Sequence, residues 1–370
     1  MKKKVLFIVN PISGSGKNKK IEEDIKKYLL HDVFDYEICY TERAGHATEL
    51  TKQAVAQKVD IVVAVGGDGT INEVARSVIH TPTALGIIPR GSGNGLARHL
   101  LIPVNTQKAI EILNRQMVRC LDYGIINGHP FFCTCGVGFD AFVSHKFAEA
   151  GRRGFFSYAE NTLREGIRYK PETYIIEDET GSIIHKAFLI ACANASQYGN
   201  NAYIAPHASM EDGLMDIVVM KPFNTFIESP MVLLQMFTKQ LEENPHVEFL
   251  KSRKIRIIRE REGAVHLDGE PLVMGKEISV EMISGNFNVV INPKALSNKV
   301  NSLTMFVDSF NERLKKMDSQ ITKSMNDSEY RMKQSFNDLK RRMDEQLFGK
   351  NNSKKKVQQE HNTETKKEDE

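Results

Sequence analysis

The chain has 370 residues, which is long enough for two domains with separate hydrophobic cores. Hydrophobic residues make up 41% of it and charged residues 26%, a composition typical of globular proteins. The 50 Lys and Arg residues nearly balance the 47 Asp and Glu residues, and a net charge of +3 predicts no nucleic-acid partner.

The cysteines and the apolar runs exclude two further classes of protein. Five cysteines, an odd and sparse set in a chain this long, do not suggest a disulfide framework. No apolar stretch approaches the length that is needed to span a bilayer. We therefore expect a cytoplasmic protein that would meet any lipid by contacting the membrane from outside.

Residues 1–116 alternate between strand and helix patterns, which predicts an α/β domain with a parallel sheet and helices on both faces. The predicted strands are Val5–Val9, Phe34–Tyr40, Asp60–Val65 and Leu85–Ile88. The predicted helices are Lys19–Leu30, Ala47–Ala56, Ile71–Ile79 and a helix that Gly91–Gly95 opens and that runs through Leu100.

Residues 117–296 have a different pattern, in which strands predominate, and they predict a mostly antiparallel β domain. Helical patterns are confined to Asp140–Tyr169 and Phe226–Leu241. The predicted strands are Val118–Ile126, Pro130–Val137, Thr173–Glu177, Lys186–Ala193, Leu214–Met220, Lys254–Ile258, Ala264–Leu267 and Phe287–Ile291.

The C-terminal region carries an apolar stripe at three- and four-residue spacing, which predicts an amphipathic, coiled-coil-like helix over residues 297–347. We expect self-association of two or more copies through this helix, and membrane contact is the second interpretation. Residues 348–370 are charged, lack apolar anchors and are predicted to be disordered.

The first, third and fourth predicted strands each end in a glycine-rich loop. The loops are Asn10–Lys17 (NPISGSGK), Gly66–Glu73 (GGDGTINE) and Arg90–Gly95 (RGSGNG). Ligands of open α/β sheets bind beyond the carboxyl ends of the strands, so the three loops should share one crevice. Small residues let backbone N–H groups approach a phosphate, and together the loops predict a polyphosphate ligand. None has the spacing of a P-loop or of a dinucleotide fingerprint.

Asp68 lies between two glycines of the second loop, where its carboxylate would face phosphate oxygens. That contact is repulsive by Coulomb's law unless Mg²⁺ lies between the two groups, or unless Asp68 receives the proton of an attacking hydroxyl. The alternative is that Asp68 caps its own helix. The two neighbouring loops favour the phosphate role.

These residues resemble the catalytic domain shared by diacylglycerol kinases, sphingosine kinases and bacterial lipid kinases. The resemblance begins with Asn10-Pro11 and with Gly66–Thr70 followed by Asn72-Glu73, and it covers residues 3–292 in order. It continues through Gly91–Asn94, Gly138–Ala141, Glu211–Leu214 and Asp268–Pro271. The resemblance implies a fold of the NAD-kinase and diacylglycerol-kinase type, with an α/β domain followed by a mostly antiparallel β domain.

The resemblance implies ATP and Mg²⁺ as cofactors and assigns residues to the nucleotide. Lys17 would neutralise phosphate charge, although a solvated surface lysine explains it nearly as well. The residues expected to bind ATP are Asn10, Ser13, Gly14, Lys17, Thr41, Gly66, Gly67, Asp68, Gly69, Thr70, Ile71, Asn72 and Ser92.

The resemblance also assigns catalytic roles to two carboxylates. Glu270 resembles the residue that accepts the proton of the lipid hydroxyl, and Asp68 resembles the residue that organises Mg²⁺ beside the γ-phosphate. Sphingosine kinases are often described with the equivalent of Asp68 as the base, so the assignment of the base stays open. Catalysis would consist of positioning and charge neutralisation.

Two further sites follow from the resemblance, each with a structural alternative. Met210, Asp212 and Leu214 would hold a structural Mg²⁺ ion, or they would form a β-turn. Asp140 would hold the amine of a lipid substrate, or it would cap the helix that begins there.

The expected activity is therefore transfer of the γ-phosphate of ATP to a hydroxyl of a membrane lipid, either diacylglycerol or a sphingoid base. The protein would reach this lipid by peripheral contact with the inner membrane face. Two rival interpretations are a kinase of a soluble substrate, similar to NAD kinase, and a lipid or nucleotide sensor without turnover.

Overall fold

The computed structural model of the chain describes residues 2–14, 19–150, 169–179 and 181–295. Three parts of the predictions lie outside the described residues. They are Lys17, residues 151–168 of the predicted helix Asp140–Tyr169, and the predicted C-terminal helix and tail. No helix within the described ranges is long and apolar enough to cross a membrane.

The first domain is built on four parallel strands in the spatial order β2-β1-β3-β4, as the alternating pattern predicted. All residues of β3 and β4 are buried, because helices cover both faces of the sheet. Its elements are β1 Lys3–Val9, α1 Lys19–Tyr28, β2 Phe34–Tyr40, α2 His46–Ala56, β3 Ile61–Gly66, α3 Asp68–Val78, β4 Ala84–Pro89, α4 Gly95–His99 and α5 Thr106–Asn114.

The second domain contains a six-stranded antiparallel sheet in the order β12-β11-β10-β7-β14-β15, which confirms the predicted β-rich architecture. Its elements are β5 Val118–Ile126, β6 His129–Phe131, β7 Thr134–Gly138, α6 Phe139–Ala150, β8 Glu172–Asp178, β9 Gly181–Ala187, β10 Leu189–Ala193, β11 Met215–Met220, α7 Thr225–Thr238, a 3₁₀ turn Leu241–Glu243, β12 Val247–Ser252, β13 Lys254–Arg259, β14 Gly263–Leu267, β15 Glu270–Met274 and β16 Glu277–Val290.

The long strand β16 joins the two domains. Val289 pairs in parallel with Leu85 of β4, while other parts of β16 pair antiparallel with β13 and β5. The first sheet therefore continues into the second domain as a ten-stranded sheet. The sequence analysis predicted only the last part of this strand, Phe287–Ile291, although the earlier part of β16 alternates exposed and buried residues as a half-buried strand does.

Three local predictions differ from the structure. Lys186–Ala193 was predicted as one strand, but it is divided between β9 and β10 at Phe188. Pro130–Val137 was predicted as one strand, but it is divided between β6 and β7. The division occurs because the backbone N–H groups of Phe132, Cys133 and Thr134 donate to the Asp268 carboxylate. The helix predicted to open at Gly91–Gly95 begins only at Gly95, because the preceding residues form a tight loop around Asn94.

Candidate active site

The three glycine loops meet in one crevice, as their positions after parallel strands predicted. A methyl group on Gly91 would lie 2.7 Å from the Cα atom of Gly67, so only glycine allows the second and third loops to approach this closely. The backbone N–H of Arg90 donates to the carbonyl of Gly66 at 2.7 Å, which fixes the ends of β3 and β4 side by side.

The first loop is tied to the second by its asparagine. Asn10 donates from Nδ2 to the Thr70 hydroxyl at 3.1 Å, and its Oδ1 accepts from the backbone N–H of Ile12. Ser13 donates to the Asn10 carbonyl at 2.8 Å. Gly14 has a φ of +72°, where a side chain is strained, and it lies against Arg90.

The carboxylate of Asp68 connects the second loop to the third. Its Oδ2 accepts from the backbone N–H of Asn94 at 2.8 Å, and its Oδ1 accepts from that of Gly95 at 2.7 Å. Gly67 is the N-cap of α3, and Asp68 is its first helical residue. Asp68 therefore caps α4 rather than its own helix, which differs from the capping alternative considered from the sequence.

The third loop is held by the side chain of Asn94, a role that the sequence analysis missed. Asn94 has a φ of +52°, and its amide donates to the carbonyl of Gly91 and accepts from the N–H of Gly91. Gly93 lies against Asp68, because a methyl group there would be 2.8 Å from Oδ2. Ser92 is exposed at the tip of the loop. The Asn-Gly pair at 94–95 is the signal that could have indicated this turn.

Three buried donors in this region have no hydrogen-bond partner among the described residues. Nδ2 of Asn72, a residue that is 3% exposed, and Nε of Arg90 lie at the crevice, and Nε of Arg76 lies farther along α3. A buried donor without an acceptor costs about 1–3 kcal/mol of stability. Phosphate or ribose oxygens that accept hydrogen bonds from the donors at the crevice would remove this cost. The donor set therefore fits ATP, and Asn72 is one of the residues that the sequence analysis assigned to it.

Glu73 fixes the segment that contains Thr41. Its two carboxylate oxygens accept from the backbone N–H groups of Gly45 and Ala47, at 2.9 and 3.0 Å. These bonds cap the start of α2 and hold it beside α3. Thr41 is buried and donates from its backbone to the carbonyl of Val9, so it lies at the same end of the sheet as the first loop.

Glu270 lies at the start of β15, where it forms an ion pair with the first domain. Nη2 of Arg76 on α3 donates to Oε2 of Glu270 at 3.0 Å, and about half of the Glu270 side chain is exposed. Sequence analysis did not single out Arg76, because nothing in the local pattern indicates a partner 194 residues away. The helix that begins at Asp68 thus also holds Glu270.

Asp268 shapes the turn that carries Glu270. Its carboxylate accepts three backbone N–H bonds from Phe132, Cys133 and Thr134, at 2.7–3.0 Å. Burial raises the pKa of Asp268, while these bonds and the charge of Arg76 act in the opposite direction. The hairpin of β14 and β15, which carries Glu270, is therefore firmly attached to the start of β7.

Asp140 is the second residue of α6 and is buried in a polar cluster. Its Oδ2 lies 2.9 Å from Nε2 of His266 and accepts from the Tyr198 hydroxyl at 2.9 Å, while its Oδ1 accepts from the N–H of Ala141. Gly136 leaves the space for this cluster, since a methyl group there would be 2.7 Å from Oδ2. Both oxygens of Asp140 therefore have partners inside the protein.

The predicted structural Mg²⁺ site contains a lysine ammonium. Oδ2 of Asp212 lies 3.1 Å from Nζ of Lys251, and Oδ1 accepts from the N–H of Leu214. The carbonyl of Met210 accepts from the N–H of Asp122 at 2.7 Å. No cluster of three or more His, Cys, Asp or Glu side chains suited to a metal occurs among the described residues. These residues therefore fit Mg²⁺ poorly unless Lys251 moves, and the site stays a prediction.

The comparison with known proteins bears on both domains. The model described as "Diacylglycerol kinase catalytic domain" matches residues 4–126, and the model described as "YegS C-terminal NAD kinase beta sandwich-like domain" matches residues 133–295. A diacylglycerol kinase of Mycobacterium tuberculosis strain H37Rv is 31% identical over 254 residues, which are 66% of this chain and 80% of that protein. The chain belongs to the diacylglycerol kinase family.

Other members of the diacylglycerol kinase family agree with this assignment. The diacylglycerol kinase of Bacillus subtilis strain 168 is 26% identical over 274 residues, which cover 72% of this chain and 90% of that protein. A Bacillus anthracis crystal structure, described as that of a candidate diacylglycerol kinase, has a TM-score of 0.69 at 27% identity and covers 79% of this chain and 96% of its own. The family and fold predicted from the sequence are thus confirmed, and the family is one of kinases, whose phosphoryl donor is ATP.

Proposed function

We propose that this member of the diacylglycerol kinase family is a lipid kinase that transfers the γ-phosphate of ATP to the hydroxyl of a neutral glycerolipid. The observation that carries the proposal is that one helix, α3, connects two carboxylates, Asp68 at its start and Glu270 of β15. Asp68 begins α3 and binds the third loop, while Arg76, farther along α3, binds Glu270. Helix α3 therefore links the phosphate crevice to the candidate base.

In this transfer the hydroxyl oxygen of the acceptor forms a bond to the γ-phosphorus, and the bond from that phosphorus to the bridging oxygen of ADP breaks. The proton of the hydroxyl passes to a carboxylate. Glu270 suits this role because half of its side chain is exposed to an incoming acceptor. Asp68 suits it less well because both of its oxygens already accept backbone N–H bonds.

Asp68 is instead suited to charge organisation. Each of its oxygens retains a free lone pair beyond the hydrogen bond that it accepts, which fits a Mg²⁺ ion or the water bound to one. When bound, Mg²⁺ would neutralise phosphate charge. The backbone N–H groups of the loops and the start of α3 would orient the phosphates, and Asn72 and Arg90 would supply the donors that lack partners.

The partners of Asp140 favour an uncharged acceptor over a sphingoid base. A cationic amine would find one unused lone pair on the buried Asp140 carboxylate, on Oδ1, because Tyr198 and His266 both bind Oδ2 and the N–H of Ala141 binds Oδ1. Displacing these partners would leave buried polar groups unsatisfied, which costs free energy. Relatives named diacylglycerol kinase, such as those of Mycobacterium tuberculosis and Bacillus subtilis, agree with a neutral glycerolipid.

A panel of acceptors tests the proposed function. Purified protein, Mg²⁺ and γ-³²P-ATP are incubated with mixed micelles of diacylglycerol, with mixed micelles of sphingosine or with NAD in solution. We expect label in the diacylglycerol product. Label in sphingosine would contradict the argument from Asp140, label in NAD would assign a soluble acceptor, and no label with any of the three would favour a sensor.

A further inference from the structure

Helix α7 exposes an apolar stripe. Ile227, Met231 and Leu234 are spaced by four and three residues, which places them on one face, and they are 69%, 56% and 55% exposed. Phe237 continues the stripe one turn later. Among the described side chains, no other helix carries an exposed large hydrophobic residue. A contiguous stripe of this kind indicates an interaction surface, whereas single exposed residues do not.

The opposite face of α7 is already held by the protein. Val232 is buried in a core cluster that also contains Phe139 and Phe188, and Met236 packs against that cluster. The exposed stripe is therefore not needed to attach the helix. A helix that is apolar on both faces suits an environment that is apolar on its outer side.

The charges around the stripe suit a lipid surface. Glu228 is the one charged residue in the sequence of α7. Its Oε2 lies 3.0 Å from Nε2 of His246, and its Oε1 accepts from the backbone N–H of Asn224. Lys221, which precedes the helix, is paired with Glu248, while Lys239, which follows the helix, is exposed and lies over the Tyr203 ring. An apolar stripe whose one acidic neighbour is paired and whose end carries an exposed lysine matches acyl chains below a layer of phosphate headgroups.

The stripe is connected to the candidate active site. The backbone N–H of Tyr203 donates to the carbonyl of Met236 on α7, and the N–H of Asn200 donates to the carbonyl of Gly93 in the third glycine loop. One short segment thus contacts both α7 and the loop that Asp68 holds. A membrane bound at α7 would lie beside the element that positions the phosphates.

We propose that the exposed face of α7, formed by Ile227, Met231 and Leu234, is a docking surface that inserts into the headgroup region of a phospholipid bilayer. The proposal rests on the proposed function, because a kinase of a bilayer lipid must contact the surface in which its acceptor lies. Each apolar side chain that leaves water for the bilayer contributes to binding in proportion to its buried area.

Vesicle co-sedimentation of the full chain tests this surface without requiring turnover. The vesicles consist of phosphatidylcholine with a minor fraction of phosphatidylglycerol. We expect the double variant Met231→Gln, Leu234→Gln to bind on the order of 10-fold or more weakly than the wild type. The matched control is Leu30→Gln, Val104→Gln, which changes two exposed apolar residues of the first domain and should bind like the wild type.

Three results would overturn the docking surface. They are a wild type that does not bind vesicles, an α7 variant that binds as well as the wild type, and a vesicle-free wild-type dimer that the α7 variant converts to monomer. The last result would identify the stripe as a contact between copies of the chain. Phosphorylation of a short-chain, water-soluble diacylglycerol is measured in parallel, and we expect the α7 variant to retain it. Absence of this activity in the wild type would count against the proposed function and not against the surface.

Discussion

At the scale of single residues, the Asp68 carboxylate has two roles, of which the sequence pattern predicted only the one towards phosphate. It faces the phosphate crevice, and it also accepts the backbone N–H groups of Asn94 and Gly95. An asparagine at this position could accept only one of these bonds and would direct an NH₂ group towards the other N–H. The residue that we propose organises the charge of the crevice therefore also determines the shape of the third loop.

For Asp68→Asn we expect a folded protein with at least about 100-fold lower kinase activity. We also expect its free energy of unfolding to fall by roughly 1–3 kcal/mol, because one buried N–H group loses its acceptor. Activity assays and urea denaturation measure the two effects. Turnover similar to that of the wild type would refute the role of Asp68, and unchanged stability would refute its contact with the third loop.

Arg76 and Glu270 should act as a pair. We expect Arg76→Met to lower kcat about 10- to 100-fold with little change in the KM for ATP, because Glu270 loses the group that orients it. In a Glu270→Gln background the same substitution should have little further effect. Arg119→Met is a suitable control, since Arg119 forms an ion pair with Glu211 at 3.3 Å and its side chain is also partly exposed. Equal losses in both backgrounds would show that Arg76 and Glu270 act independently.

His99, at the end of α4, gives the fold a dependence on pH. The backbone N–H of Ser196 donates to its Nδ1 at 3.0 Å, so this nitrogen must be unprotonated. Burial lowers the pKa of His99 from 6.5 to about 4, and the charge of Glu211 opposes the shift. Between these values the unfolded chain binds a proton that the folded chain does not, so stability is present above pH 6.5 and is lost as the pH falls towards 4.

We expect this loss to be on the order of 2 kcal/mol, and we expect His99→Gln to remove most of it. Denaturation of both proteins at pH 7 and pH 4.5 measures the difference. His31→Gln provides the control, since the imidazole of His31 is on the surface and bonds to the Lys26 carbonyl. If the wild type and His99→Gln lose the same stability on acidification, His99 is not the titrating group.

At the scale of elements, the contact between the second and third loops depends on glycine. We expect Gly91→Ala to weaken ATP binding at least about 10-fold, because its methyl group would lie 2.7 Å from the Cα atom of Gly67 and would separate β3 from β4 at the crevice. Gly275→Ala is the control, since a methyl group at that position meets no atom within 4 Å. Calorimetric titration with ATP measures both variants, and equal affinity would contradict the close approach of the loops.

The elements differ in how well the sequence predicted them, for physical reasons. Strands β1, β3 and β4 are apolar runs that end in glycine loops, because parallel strands are buried on both faces and their carboxyl ends open onto a ligand crevice. Local pattern therefore predicts both the strands and the crevice. Helix α5 was missed, although Asn105 accepts from the N–H of Lys108 in the manner of an N-cap.

The parts of the site that the sequence did not predict depend on partners distant in the chain. Glu73 was recognised as part of the second loop, but its bonds to Gly45 and Ala47 depend on how α2 packs on α3. Arg76 and Glu270 are brought together only when the hairpin of the second domain reaches α3. Sequence analysis named Asp140 and Asp212, but it could not predict that Tyr198, His266 and Lys251 would supply their partners.

At the scale of the whole molecule, strand β16 explains why two different domains form one compact unit. It pairs with β4 of the first domain and with β13 and β5 of the second, so the sheet is continuous across the boundary. The hairpin with Glu270 and the loop with Asp68 are consequently held in a fixed relation. Self-association through residues 297–347 stays a prediction, since these residues lie outside the described part of the chain.

The most direct test of the proposed lipid kinase activity is the formation of labelled phosphatidic acid from diacylglycerol and γ-³²P-ATP by the wild type and by Glu270→Gln. We expect one labelled lipid with the wild type and a rate at least about 100-fold lower with the variant, whose ATP affinity should be unchanged. Equal rates in the two proteins would contradict the role of Glu270. Absence of labelled lipid with the wild type would contradict the proposal that this chain is a lipid kinase.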